Sequence, residues 1–284
     1  DEVRSYDQAI ADYESLLRAI PEAPEFRARR AITLTDMGQL LHKLDLNPRA
    51  LEVLRPALAE FEDLIKVYPS VDLQEAKAAT LVTLGRVQSD LGQLEEAEAT
   101  LGSATEKYDA LVQKNSNLPY REGLANSLGF LAQVMHKRKR LEEAREKFNG
   151  AIDHFRELLD KDASNPRFQD ELAGVHVRLG ELLRDMNQID EARAEFHKAR
   201  ELRERLAEDF PEPEYLHNLA WLLSNAADPD LRDPAKALEA ATSAKKRTSK
   251  SATYWNGVGV AQFRLENWQE SMQALTEAEN WRAD

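Results

Sequence analysis

One pattern of residues recurs along the chain at a fixed internal spacing, and it restricts the fold more than any other feature. An apolar residue is followed at once by a small one. A second small residue lies twelve positions after the first, an apolar or aromatic residue four later, and Ala three beyond that. The copies are Met37, Gly38, Ala50, Leu54, Ala57; Leu84, Gly85, Ala97, Leu101, Ala104; Leu131, Ala132, Ala144, Phe148, Ala151; Leu179, Gly180, Ala192, Phe196, Ala199; and Val258, Gly259, Ser271, Leu275, Ala278. A further copy, Leu219, Ala220, Ala237, Ala241, Ala244, fits with a five-residue insertion. Offsets of three and four fall on one helical face. The twelve-residue gap is not one unbroken helix, because turn signals interrupt it at Asn47-Pro48, Gly92-Gln93, Asn187-Gln188 and Asn267. Each unit therefore reads as helix, short turn, helix. Small residues are needed where two helices cross closely. A single hairpin cannot bury its apolar face, whereas stacked neighbours can. The chain is predicted to be all-α, with about thirteen helices: one orphan and six hairpins.

The pattern resembles the tetratricopeptide repeat, with its signature W-x2-L-G-x2-Y, then A-x3-F, then P. The sixth unit comes nearest, with Trp255, Val258, Gly259, Ser271, Leu275 and Ala278. The resemblance spans essentially the whole chain. It implies a right-handed superhelical array of antiparallel helix hairpins, an α-solenoid. The units exceed the usual length: Gly38 to Gly85 is 47 residues, Gly85 to Ala132 is 47, and Ala132 to Gly180 is 48. Breakers arrive late, at Pro69, Asn115-Ser116-Asn117, Ala163 to Pro166 and Pro211, so the extra length is expected as longer helices. Units are expected over 22–69, 70–116, 117–163, 164–211, 212–250 and 251–284. An orphan second helix over 1–21 precedes them, since Glu2, Tyr6, Ala9, Leu16 and Pro21 align with Ala192, Phe196, Ala199, Leu206 and Pro211. A chain that opens on half a hairpin, and stops at Asp284 with Trp268 and Trp281 near its end, reads as part of a longer protein. Its last seventy residues or so resemble the repeat tails joined to bacterial Ser/Thr protein kinases. That likeness rests on Leu219-Ala220-Trp221-Leu222-Leu223, Asp228-Pro229-Asp230-Leu231-Arg232-Asp233-Pro234 and Tyr254-Trp255-Asn256-Gly257-Val258-Gly259. The chain itself has no Gly-rich phosphate loop, H-R-D or D-F-G element.

Chemistry is hard to find in the remaining residues. Cysteine is absent, which removes disulfides and thiolate catalysis and fits a reducing, cytoplasmic setting. The net charge of -13 argues against binding nucleic acid or an anionic membrane. No apolar stretch reaches the roughly 18 residues of a membrane span, and Asp1 to Tyr6 lack the apolar core of a signal peptide. The six histidines form no H-E-x-x-H, and no two are three or four apart as helical metal ligands would be. His176 takes the slot of Leu34, Leu81, Leu128 and Leu216, and reads as a core histidine with a hydrogen-bond partner. Asp228, Asp230 and Asp233 lack the spacing, Gly and distal Glu of a calcium loop and read as turn residues. Lys137-Arg138-Lys139-Arg140 reads as a solvated turn with Lys137 free to bind. Lys245-Lys246-Arg247 and Lys250 close a helix, where cations meet the negative end of the dipole. Gly257-Val258-Gly259 lies within a helix and is no nucleotide loop. No enzyme, metal or cofactor is expected.

In the tetratricopeptide family the first helix of each hairpin lines the inner surface. The resemblance therefore implies that residues three before, and one, four and five after, the central small residue face a concave groove. Those residues are Thr35, Gln39, His42 and Lys43; Val82, Arg86, Ser89 and Asp90; Gly129, Gln133, His136 and Lys137; Val177, Glu181, Arg184 and Asp185; His217, Trp221, Ser224 and Asn225; and Asn256, Val260, Phe263 and Arg264. The candidate binding residues among them are Gln39, His42, Lys43, Arg86, Gln133, His136, Lys137, Arg184, Trp221, Asn225, Phe263 and Arg264. Lys43, Arg86, Lys137, Arg184 and Arg264 would line positive charge along one groove, matching an acidic or C-terminal-carboxylate peptide, with Trp221 and Phe263 offering apolar contacts. Alternatively these cations balance Asp90, Glu181 and Asp185 on the same surface. The expected function is a protein-interaction scaffold. The alternative is a regulatory or oligomerisation segment of a kinase.

Overall fold

The computed structural model describes residues 2–226, 228–248 and 251–283, so that Asp1, Lys250 and Asp284 lie outside it. Helices make up all its regular structure, and no strand occurs among the described residues. The chain divides into two compact units, Asp1–His154 and Phe155–Asp284, with the boundary inside the seventh helix. Unit 1 contains α1 (Glu2–Ala19), α2 (Pro24–Lys43), α3 (Asn47–Val67), α4 (Val71–Asp90), α5 (Leu94–Lys114), α6 (Leu118–Lys137) and the first part of α7 (Leu141–Lys161). Unit 2 contains the rest of α7, then α8 (Pro166–Asp185), α9 (Ile189–Asp209), α10 (Pro213–Asn225), α11 (Pro234–Arg247), α12 (Ala252–Arg264) and α13 (Trp268–Ala283). Among the described residues no helix is long and apolar enough to cross a membrane.

The extra length of the early units is helical, as expected. α3, α5, α7 and α9 each run 21 residues, whereas α10 to α12 run 13 or 14. Proline in the first turn sets where α2, α3, α6, α8, α10 and α11 begin, at a position where its missing N–H costs nothing. Ser70 caps α4 by accepting from Leu73 N at 3.1 Å, and Asn165 caps α8 by accepting from Arg167 N and Phe168 N.

The turns inside the hairpins share one geometry. The residue seven after the central small one adopts a left-handed backbone in five units: Asp45 (φ 57°), Gly92 (76°), Lys139 (62°), Asn187 (62°) and Glu266 (63°). The next amide bonds back to the last turn of the first helix: Leu46 N to Leu41 O, Gln93 N to Gln88 O, Arg140 N to Met135 O, Gln188 N to Leu183 O and Asn267 N to Gln262 O, at 2.8 to 3.0 Å. This is the Schellman closure of a helix C-terminus. The remaining hairpin, α10–α11, carries the insertion instead. There a single 3-10 turn, Pro229–Leu231, pushes Leu231 into the core at 1% exposure. Asp228 accepts from Asp230 N at 3.0 Å, and Asp233 caps α11 by accepting from Lys236 N at 3.0 Å.

The recurring residues form the core of each unit. Leu41, Ala50, Leu54, Ala57 and Phe61 are fully buried in unit 1, as are Leu182, Ala199 and Leu223 in unit 2. The crossing glycines meet side chains of the second helix. A Cβ at Gly38 would stand 2.6 Å from Leu54, at Gly85 2.6 Å from Leu101, at Gly180 2.9 Å from Phe196 and at Gly259 2.7 Å from Leu275. The small residue and the large one four after the second small residue are thus one contact, repeated down the chain. His176 is buried, with Nδ1 2.5 Å from Glu195 Oε2 across its hairpin.

Candidate functional site

First helices stack beside one another within each unit: α2 on α4 and α4 on α6 in unit 1, α10 on α12 in unit 2. That stacking consumes part of the expected binding surface. Thr35 is buried, its hydroxyl 2.9 Å from that of Thr80 on α4. Ser89, Gly129 and Ser224 are buried as well. The positions three before and four after the central small residue turn largely toward the neighbouring first helix. The positions one and five after it stay more open.

In unit 1 the open residues form a polar chain across three helices. Gln39 and Lys43 are exposed on α2, Asp90 on α4 and Lys137 on α6, while Gln133 and His136 are half-buried. His42 Nε2 lies 2.8 Å from Asp90 Oδ2, Lys137 Nζ donates to Ser89 Oγ at 2.9 Å, and Lys137 stands 3.8 Å from Asp90. The His42 hydrogen bond, with the charges of Lys137 and Arg86, outweighs partial burial and holds the Asp90 carboxyl below its ordinary value. The guanidinium of Arg86 lies over the ring of Phe130, 4.4 Å from its centroid. Most of the cations expected to meet an acidic ligand here are therefore already engaged. Lys43 has no ion-pair partner among the described residues. The basic run at the α6–α7 turn is likewise occupied: Arg138 pairs with Glu95 and Glu98, and Arg140 with Glu98 and Glu143.

In unit 2 the corresponding surface is more aromatic. Trp221 is 46% exposed and Phe263 52%. Phe263 meets Trp268 edge-on, with centroids 5.1 Å apart. His217 lies between Trp221 and Tyr254, at 6.4 and 5.7 Å between centroids. Arg184 is exposed beside Asp185 at 3.7 Å, Asn225 donates to the Trp221 carbonyl at 3.1 Å, and Arg264 is exposed with no ion-pair partner among the described residues. The sequence pattern missed a polar group in the same unit, made by Asp170, Arg178, Arg203 and Asn218. The signal was present as charged residues within helices otherwise read as scaffold, but Arg203 lies on a second helix, outside the inner-surface positions.

Family models bear on the origin of this arrangement. Models of the tetratricopeptide repeat match residues 78–103, 177–212 and 230–284. Those three segments are similar to the tetratricopeptide repeat. No curated protein sequence matches it. Among solved structures, the apo form of RapI matches with a TM-score of 0.59 at 13% identity, covering 100% of this chain and 92% of that one. BtubC from P. vanneervenii matches at 0.56 and 14% identity, covering 99% and 89%. The Rap conjugation gene regulator of the plasmid pLS20, in complex with the Phr* peptide, matches at 0.54 and 17% identity, covering 99% and 70%. At these identities the likeness establishes the helical-repeat fold alone.

Proposed function

We propose that the chain is a non-catalytic, cofactor-free scaffold of the cytoplasm that binds a peptide or partner segment on the surface of its first helices. The observation that carries this reading is the persistence of exposed polar or aromatic side chains at matched positions of successive first helices. Gln39 and Lys43 occupy them in α2, Asp90 in α4, Lys137 in α6, Glu181 and Asp185 in α8, Trp221 in α10 and Arg264 in α12. Within each unit, exposed residues that recur on the first helices offer contacts to a ligand. A peptide held by another helical-repeat protein of this fold, the Rap regulator with Phr*, supports the same use. The hairpins divide as 22–69, 70–116, 117–163, 164–211, 212–250 and 251–284, after a helix of the second type over 1–21. We place an acidic or C-terminal carboxylate of the ligand at the cations left without ion-pair partners, Lys43 or Arg264. The alternative is a regulatory or oligomerisation segment of a bacterial Ser/Thr protein kinase, supported by the sequence likeness of the last seventy residues or so.

The test is selection of binding peptides from a random displayed library on the full chain. The selected peptide is then measured against two folded double variants. Arg86→Glu with Arg184→Glu alters the first helices, and Lys66→Glu with Arg205→Glu alters exposed second-helix positions. Loss of affinity in the first pair alone is expected. Equal affinity in the parent and the first pair would remove the first-helix surface as the site.

A further inference from the structure

The hairpins α2–α3, α4–α5 and α6–α7 place a matched pair of residues eleven positions before and twenty-two after the central small residue. These are Arg27 and Glu60, Gln74 and Lys107, and Arg121 and His154. In the first hairpin Arg27 pairs with Glu60, and Arg30 adds a second bond to the same carboxylate. In the third, Arg121 Nη1 donates to His154 Nδ1 at 3.2 Å. The second hairpin departs from this. Neither Gln74 nor Lys107 has a side-chain hydrogen bond or ion pair among the described residues. Lys77, at the place of Arg30, turns instead to Glu62 of α3, at 2.9 Å. A local rule kept on both sides and broken between them marks a candidate functional position.

A groove of about 370 Å³ opens at the same place, lined by Ile65 of α3, Gln74 and Lys77 of α4, and Glu106, Lys107 and Ala110 of α5. Pockets that hold small ligands run from ~300 to ~1,000 Å³. None of the first-helix positions assigned to the ligand above lines this groove.

Charge selects the occupant. Lys107 is half-buried and the Lys77 side chain is only 17% exposed, whereas that of Glu62 is 47% exposed and Glu106 is exposed as well. The cations thus stand deeper than the carboxylates, and solvent screens the carboxylates more. A half-buried ammonium without a counter-ion gains from an added carboxylate through charge-assisted hydrogen bonds. Ile65 and Ala110 offer an apolar wall to the methylene groups of such an acid.

We propose that this groove takes the side-chain carboxylate of a Glu or Asp in a segment of a partner protein. Lys107 Nζ and Gln74 Nε2 donate to it, so the ligand supplies the acceptor that Glu60 supplies within the first hairpin. The site goes beyond the first-helix reading and is tested apart from it.

The probes are two libraries of N-acetylated, C-amidated hexapeptides, one carrying Glu or Asp and one carrying Gln or Asn at the same positions. A third library, of neutral hexapeptides with a free C-terminus, is run beside them. Peptides that bind the full chain are measured against three variants whose folding is checked by circular dichroism. Gln74→Arg with Lys107→Glu installs the ion pair of the first hairpin. Ala110→Trp fills the groove from an exposed helix position. Arg86→Glu with Arg184→Glu alters the first-helix surface. A class of acidic peptides is expected to lose at least tenfold in affinity on each groove variant and less than twofold on the first-helix variant. Should the installed pair fail to fold, Ala110→Trp alone decides. Acidic binders that are lost only on the first-helix variant overturn the groove while the peptide-binding reading stands. Equal binding of the Gln and Asn library overturns the carboxylate, and binding of the free C-terminus library alone overturns the side-chain assignment. Absence of any acidic binder overturns the site as a whole.

Discussion

Gly85 and Gly174 are both helical glycines, yet only the first is held by packing. A Cβ at Gly85 would stand 2.6 Å from Leu101 Cγ, whereas one at Gly174 meets ordinary contact distances. Gly85→Leu and Gly180→Leu should therefore each destabilise by about 1–3 kcal/mol or more through overpacking. Gly174→Ala should stabilise by about 0.5–1 kcal/mol through helix propensity. Thermal melts of the three variants decide this, and equal melting temperatures for all of them would show that the crossings are not close. The buried imidazole of His217 gives a pH signature. Burial, aided by the charge of Arg203, pushes its pKa below the ordinary 6.5. The folded chain then binds fewer protons at this site than the unfolded chain. Its contribution to stability is fully present above pH 6.5 or so and declines as pH falls through that value toward the lower folded pKa. Denaturant midpoints between pH 7.5 and 5 should fall less steeply for His217→Gln than for the parent. Parallel curves would place the imidazole in ordinary solvent.

At the scale of elements, the hairpin turn is the most regular device. A left-handed residue costs about 1–2 kcal/mol for a side chain that is not glycine, and four of the five units pay it with Asp45, Lys139, Asn187 or Glu266. Lys139→Gly should raise the melting temperature, with a gain of about 1 kcal/mol at most, and Gly92→Val should lower it. The reverse order would mean that the turns relax away from this geometry. Leu231→Ala should cost about 2–5 kcal/mol, because the insertion drives that side chain fully into the core. An unchanged urea midpoint would show that the insertion is not anchored. The hairpins were legible in sequence because Gly85 and Leu101, or Gly180 and Phe196, are the two halves of one steric contact. The Schellman turns were only partly legible. Asn187 and Gly92 are ordinary left-handed residues, whereas Lys139 and Glu266 carry no such signal and are held there by the helices on either side.

For the whole molecule, the thirteen α-helices of the described residues followed from periodicity and breakers, but the exposure of the expected groove positions followed only in outline. The family rule assigns four positions per first helix, yet stacking of adjacent first helices buries Thr35, Ser89, Gly129 and Ser224. Sequence spacing places a residue on a helix face. Whether a neighbour covers that face depends on how closely the next helix approaches, and here small residues let it approach. The charge pattern was similarly incomplete, since Lys137 also bonds to Ser89 and stands 3.8 Å from Asp90. Backbone hydrogen exchange tests most directly whether the first helices form the ligand surface. The full chain is compared free and saturated with a selected peptide. Added protection should fall in α2, α4 and α6, or in α8, α10 and α12, with α3, α5 and α9 little changed. Protection confined to α3, α5, α9 or α13 would contradict it.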